Sequence, residues 1–374
     1  MKSELPQLGD RVTVEVQDLS RGGAGLARLE SGAVVFVPFT APGDVAEVEI
    51  IRVEKRYVHA RVLKLQKASS LRVEPRCAVF GVCGGCDWQH LPYEVQWERK
   101  VSGVLHALKR AGVGHEEPPL DAHPSREPWN YRNRIQLRGA GGKIGFYMRG
   151  SNEVVEVERC EIAKEALNAR LQSRASEQLP PEPFKWEMTL STDGQTVLDS
   201  WNRPHAALGF RQVNDAMNAE LQAWVVSQAG RGEHLVDLFG GSGNLSRPLQ
   251  DAFSKIDCVD VRVPAESPAS HFRFWKGDAL WWLRDHVRDF SDLKCRVVLV
   301  DPPREGVGRR MPLLARAFEQ IQVDRLIAVG CDPDAFARDV KGYLSQGFHL
   351  ERLAVFDLFP QTHHVEAAAS FTKK

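Results

Sequence analysis

Four short apolar runs constrain the fold more than any other feature of the chain. They are His234–Phe239 (HLVDLF), Ile256–Asp260, Arg296–Val300 (RVVLV) and Arg325–Gly330 (RLIAVG). Each is too short for a helix and is bounded by glycine or polar residues, so each reads as a buried strand. From about Leu208 onward strands alternate with helical stretches, the texture of an open α/β sheet. Ligands bind such sheets at the carboxyl ends of the strands. The residues that follow each run therefore carry the chemistry: Gly240-Gly241-Ser242-Gly243-Asn244, then Asp260, then Asp301-Pro302-Pro303-Arg304, then Cys331.

Cys331 is followed by Asp332-Pro333-Asp334 and an apolar-periodic stretch from Ala335 to Leu344. Asp332 suits an N-cap and Pro333 the first helical position. Cys331 thus falls between a strand end and a helix start, where free N–H groups and the helix dipole favour a thiolate and should lower the thiol pKa. Taken alone it also fits a small buried hydrophobe.

The stretch Asp237-x-Phe239-Gly240-Gly241-x-Gly243-Asn244 is not a dinucleotide GxGxxG motif. It resembles motif I of Rossmann-like methyltransferases, whose ligand is S-adenosylmethionine. A carboxylate at Asp260 can accept both ribose hydroxyls, and Asp278 is placed to receive an adenine amino group. The linker Val261–His271 is short and holds Pro264 and Pro268, so the usual crossover helix is expected to be truncated or absent. An aromatic after Asp301-Pro302-Pro303 would suggest methylation of an amino nitrogen; Arg304 stands there instead.

The first part of the chain has a different character. Arg11–Val16, Ala33–Val37, Ala46–Val53 and Tyr57–Leu65 are alternating, valine-rich runs punctuated by Gly22-Gly23, Gly32 and Pro42-Gly43. They suggest a small β-barrel, either a structural module or an oligonucleotide-binding one. Cys77, Cys83 and Cys86 follow in a C-x5-C-x2-C pattern, with Cys160 a candidate fourth ligand. Four thiolates suit zinc or an iron–sulfur cluster; the single C-x2-C pair and distant fourth ligand lean towards the cluster. Tyr93–Leu108 reads as a helix with Val101, Val104, Leu105 and Leu108 on one face. Arg126–Arg149 has six basic residues against one acid, with Trp129, Tyr131, Phe146 and Tyr147 interleaved. That suits single-stranded RNA, and equally a solvated β-ribbon. The paired histidines, His363-His364, read as structural or solvated rather than metal-binding.

The chain has 374 residues and zero net charge, so no chain-wide basic field points to nucleic acid. Its polar start has no signal-peptide core, and no stretch approaches the ~20 apolar residues of a membrane span. A cytoplasmic protein with no membrane partner and no obligate protein partner is expected. Seven cysteines, an odd count, fit metal better than disulfides.

Together these motifs resemble the RNA uracil-5-methyltransferase family, especially its iron–sulfur branch acting on 23S ribosomal RNA. The resemblance runs through the barrel (similar to a TRAM domain), the cysteine pattern with Cys160, Tyr131-Arg132-Asn133-Arg134 and Phe210-Arg211-Gln212-Val213-Asn214. It continues through the motif after His234, Asp301-Pro302-Pro303-Arg304, Gly330-Cys331-Asp332-Pro333 and His364-Val365-Glu366. The family usually has Ser at the position of Gly330 and often Asn at that of Asp332.

The resemblance implies a multidomain chain: 1–67 a TRAM-like RNA-binding barrel, 68–205 a central α+β domain with an iron–sulfur site, and 206–374 a Rossmann-like α/β methyltransferase domain. It implies Cys331 as nucleophile and Glu366 as general base. S-adenosylmethionine would be held around Gln212, Phe239, Gly241, Gly243, Asn244, Asp260, Asp278 and Asp301. RNA would meet Phe210, Gln212, Asp301, Arg132 and Arg134. A [4Fe-4S] cluster, with zinc the second choice, would sit on Cys77, Cys83, Cys86 and Cys160. The implied reaction is 5-methyluridine formation in 23S rRNA. The alternatives are the same mark in tRNA, or a non-catalytic RNA-binding assembly factor, which would need neither Cys331 nor Glu366.

Overall fold

A computed structural model describes residues 6–113, 119–173, 179–204, 209, 211–287 and 296–373. Phe210 and the expected boundary at 205/206 lie outside them. The chain divides into two compact units: Met1–Lys100 with Glu127–Arg203 and Phe359–His363, and Val101–Arg126 with Pro204–Leu358 and His364–Lys374.

The first unit opens with a closed barrel of five strands, β1 (Arg11–Leu19), β2 (Gly25–Arg28), β3 (Val34–Val37), β4 (Val45–Val53) and β5 (Tyr57–Lys67), in the order β1-β2-β3-β5-β4. Alternation puts Val14, Val35, Val37, Val48, Ile50 and Val58 inside. The expected barrel is there. The strand β2 was not legible because four residues after a glycine pair are too few to show a period. Asp44 closes the barrel's exit: its carboxylate pairs with Arg72 at 2.7 Å and accepts the N–H groups of Ala41 and Ser69.

The division between the units falls inside α1 (Tyr93–Ala111), after Lys100, and β6 (Leu120–His123) follows in the second. On α1, Val104 and Leu108 are buried as expected, but Leu105 is 41% exposed and Ala107 is buried instead. Back in the first unit, β7 (Arg134–Ala140), β8 (Lys143–Tyr147), β9 (Val154–Glu156), β10 (Phe184–Leu190) and β11 (Val197–Trp201) form an antiparallel sheet ordered β11-β10-β7-β8-β9. One face packs with α2 (Glu165–Ser173) around Leu137, Leu167, Leu171, Trp186 and Met188.

The second unit holds α3 (Asp215–Ala229), β12 (Gly232–Leu238), β13 (Phe253–Asp260), β14 (Phe272–Lys276) and α4 (Ala279–Asp285). It continues with β15 (Arg296–Val300), α5 (Met311–Ile321), β16 (Arg325–Gly330), α6 (Pro333–Leu344), β17 (Phe348–Phe356) and β18 (Glu366–Lys373). The eight-stranded sheet runs β14-β13-β12-β15-β16-β18-β17-β6. Strands β12 to β16 are parallel, and β18 inserts antiparallel between β16 and β17. Strands buried on both faces explain the unbroken apolar runs in the sequence. No helix joins β13 to β14, as the two prolines imply. Only a 3-10 turn at Arg247–Leu249 lies between β12 and β13.

Candidate functional site

The carboxyl ends of β13, β15 and β16 bring Asp260, Asp301 and Cys331 to one end of one sheet, and Asp237, inside β12, joins them there. The antiparallel register of β16 and β18 adds the last partner. Gly330 pairs with Ala367, so the next step of that ladder sets Cys331 against Glu366. Asp332 caps α6, accepting the Ala335 N–H at 2.8 Å, and Pro333 begins the helix.

The electrostatics differ from the expectation for a helix N-terminus. Burial pushes the Cys331 thiol up to about 12, and the carboxylates of Glu366 and Asp301 push the same way; Arg304 opposes them. The helix dipole falls off within its first turn, whereas two carboxylates beside a partly buried sulfur act directly. Glu366 is 4% exposed, and burial, then Asp301, holds its pKa well above the usual carboxylate range. Asp301 is raised to about 7, first by removal from water and then by Asp237 and Asp260. Asp237 is raised to about 6 by burial, although Ser246 donates to its Oδ2 at 2.5 Å. Its Oδ1 is buried with no hydrogen-bond partner among the described residues.

A cluster of carboxylates raised in this way is suited to a cation. The turn after β12 fits a close-lying ligand: Phe239, Gly241 and Gly243 all have positive φ. At Gly240 a Cβ would stand 2.5 Å from the Asp237 carboxylate. The N–H of Gly241 donates to Asp260 at 3.2 Å.

Other expected positions are engaged in structure. Asn244 exchanges amide bonds with Asn218 at 2.8 and 3.0 Å, tying the turn to α3. Asp278 caps α4, accepting from the N–H groups of Leu280 and Trp281, and pairs with Arg310. Gln212 is buried just ahead of Asn214, which caps α3.

The RNA-facing reading of Arg134 and Tyr131 needs correction. They are 4% and 2% exposed, and Tyr131 donates to the carbonyl of Pro360 at 3.1 Å. Burial in β7 and the turn before it removes both from the surface. Arg132 lines the cysteine cavity instead.

Cys77, Cys83, Cys86 and Cys160 line one cavity of about 170 Å³. Burial, followed by the charges of neighbouring cysteines, pushes Cys86 up to about 12; burial pushes Cys160 to about 11. Backbone N–H groups of Val79, Phe80, Gly85, Ile162 and Ala163 reach the sulfurs and oppose the rise. The loop is pinned where Gly84 donates to the Tyr147 carbonyl at 3.0 Å. Among the described residues no group of three or more His, Cys, Asp or Glu side chains is arranged to hold a metal ion.

Sequence reasoning missed Asp237 as part of the site, and Arg310. A carboxylate inside an otherwise apolar strand was the available signal for the first. Arg310 lies 32 residues from its partner Asp278 and left none.

Residues 7–63 match the TRAM domain model and residues 281–374 the tRNA (uracil-5-)-methyltransferase model. An uncharacterized RNA methyltransferase of Bdellovibrio bacteriovorus is 32% identical, over 98% of this chain and 96% of its own length. A 23S rRNA (uracil(1939)-C(5))-methyltransferase, RlmD, of Shewanella halifaxensis is 28% identical over 98% and 97%. The crystal structure of Pyrococcus abyssi tRNA (uracil-54, C5)-methyltransferase with S-adenosyl-L-homocysteine shares the fold, with a TM-score of 0.69 at 22% identity, covering 96% of this chain and 99% of that one. The fold is that of a class of α/β methyltransferases. Within that class, the chain belongs to the RNA uracil-5-methyltransferase family. Among the described residues no helix is long and apolar enough to cross a membrane.

Proposed function

We propose that the protein methylates uridine at C5 in 23S rRNA, using S-adenosylmethionine and a transient bond between Cys331 and the base. The observation that supports this reading is the β16–β18 register, whose last pair, Gly330 and Ala367, is followed on one side by Cys331 and preceded on the other by Glu366. The rRNA substrate rests on full-length similarity to relatives named for that reaction.

Uracil C5 is too poor a nucleophile to attack a sulfonium methyl. Addition of the Cys331 thiolate to C6 makes C5 nucleophilic. S-adenosylmethionine supplies the electrophilic methyl group. Once C5 is methylated it still carries a proton; Glu366 takes it, and the electron pair of the C5–H bond reforms the C5–C6 double bond as the sulfur leaves. A base with a raised pKa suits that transfer. A thiol at about 12 is mostly protonated at neutral pH, so its proton must pass to a neighbour during attack. Gln212 and Asp301 are placed in the reading as polar partners for O4 and N3. The buried carboxylates of Asp237 and Asp301, with Asp260, Asp278, Asn244 and the turn Phe239–Gly243, would hold the cationic donor.

We read the cysteine cavity as the seat of a [4Fe-4S] cluster. Four partly buried thiols, three of them opposed in ionisation by a neighbouring cysteine, need positive charge among them to become thiolates. They line one cavity, and the single C-x2-C pair with its distant fourth ligand leans towards a cluster rather than a single zinc. Its role here is structural. The three-part division, with residues 1–67 for RNA binding, 68–205 around the cluster and 206–374 for catalysis, belongs to the same proposal. The test is to supply 23S rRNA fragments and tRNA separately with labelled donor. Label at uridine C5 in rRNA supports the reading; label in tRNA alone overturns the substrate, and no label on either overturns the activity.

A further inference from the structure

The loop after Asp301-Pro302-Pro303 is folded around one carboxylate from a different element. Asp339, on the helix α6 that follows Cys331, is 4% exposed. Its Oδ2 accepts the Val307 N–H at 2.7 Å and its Oδ1 the Gly308 N–H at 3.1 Å. Gly306 passes so close that a Cβ would stand 2.5 Å from Oδ2, and its φ is +74°. Only glycine meets both conditions. Arg338, the neighbour of Asp339, reaches the carbonyl of Glu305 at 3.4 Å.

This loop carries Arg304 near one end. The Arg304 Nη2 lies 3.5 Å from Nε2 of His364, two residues before Glu366. The charged groups acting on Cys331 are Glu366 from β18, Asp301 from the end of β15, and Arg304 from the loop. Of these, Arg304 alone favours the thiolate. Arg304 is exposed, so its position depends on the backbone beneath it as well as on its contact with His364.

We propose that Asp339 is a positioning residue, holding the Pro303–Gly308 loop and with it Arg304 beside His364, at the strand end that carries Cys331. The proposal rests on the reading of Cys331 as nucleophile for its purpose, though not for its geometry. A carboxylate is required because two backbone N–H groups point at it. An amide has one acceptor oxygen, and its NH2 would leave one of those N–H groups buried and unsatisfied.

The test measures carbamidomethylation of Cys331 by iodoacetamide at pH 8, read on the peptide that contains it. It uses the full-length protein and its Arg304→Gln, Asp339→Asn and Asp339→Asn/Arg304→Gln variants. Loss of a favouring cation raises the thiol pKa, so Arg304→Gln should react about tenfold more slowly. Asp339→Asn should slow to a similar extent, and the double variant should be no slower than Arg304→Gln. The sign is informative: removing a negative charge with the loop unmoved would speed the reaction. A second route is Val307→Pro, which deletes one donor at a position whose φ of −66° already suits proline. It should slow the reaction in the same direction. The proposal fails if the folded Asp339 or Val307 variant reacts at the wild-type rate or faster, if Arg304→Gln has no effect, or if the double variant is additive. The readout involves no RNA and no methyl donor. A negative result therefore leaves the methylation reading standing, and an enzyme inactive on RNA leaves this one standing.

Discussion

Cys331 and Glu366 are one register step beyond the last pair, Gly330 and Ala367, of an antiparallel ladder inserted into a parallel sheet. A strand added at that place brings a thiol and a carboxylate to a sheet end suited to binding a ligand; in the proposed reaction they act as nucleophile and base. Replacing Cys331 by alanine should reduce methyl transfer by roughly a thousandfold or more. Donor binding should survive, because the carboxylates after β12, β13 and β15 are untouched. Calorimetry of donor binding beside a methyl-transfer assay checks this; loss of both together would make Cys331 a structural residue.

Asp301 near 7 and Asp237 near 6 are partly protonated around neutrality in the free protein. A bound cation would favour their anions, so donor binding between pH 6 and 7 should release up to about one proton. Titrations in buffers of different ionisation enthalpy measure it. Asp301→Asn should remove most of the release, and buffer-independent heats would contradict the electrostatic account.

The ends of the four strands that opened the sequence reading were legible because burial on both faces leaves an unbroken apolar run, and chemistry begins where it stops. Asp332 and Pro333 announced α6 for equally local reasons. The Cys331 pKa was misjudged because it depends on Glu366 and Asp301, 35 and 30 residues away, which no local pattern brings near. Arg134 looked like a surface cation because an alternating strand does not reveal which face is buried. Asn244 and Asp278 were legible as positions, but their partners Asn218 and Arg310 come from other elements.

The second unit also contains a buried charge network that should govern its acid stability. His234 Nε2 and Asp257 Oδ2 are 2.8 Å apart, and Trp275 and Arg273 also donate to Asp257. Burial lowers the His234 pKa below its usual value; burial opposes ionisation of Asp257, but His234 and Trp275 prevail and hold it at about 2. Both groups bind protons more readily when unfolded. Stability should therefore fall as pH drops below about 6.5 through His234, and again between about 4 and 2 through Asp257. Urea unfolding at pH 7.5, 5.5 and 4 checks this. Replacing His234 by leucine should cost about 3 kcal/mol at pH 7.5 and flatten the first decline; an unchanged slope would reassign it.

Anaerobic purification should yield a brown protein with about four iron and four acid-labile sulfide per chain. Cys86→Ser should lose most of the iron. One zinc per chain with no sulfide would overturn the cluster.

The central claim is a covalent bond between Cys331 and the uracil ring, resolved by Glu366. The direct measurement incubates Glu366→Gln enzyme with labelled donor and target RNA, then separates products under denaturing conditions. The account predicts a denaturant-resistant protein–RNA adduct carrying the methyl label, with Cys331 as the attached residue. Turnover by Glu366→Gln at the wild-type rate with no adduct would contradict it.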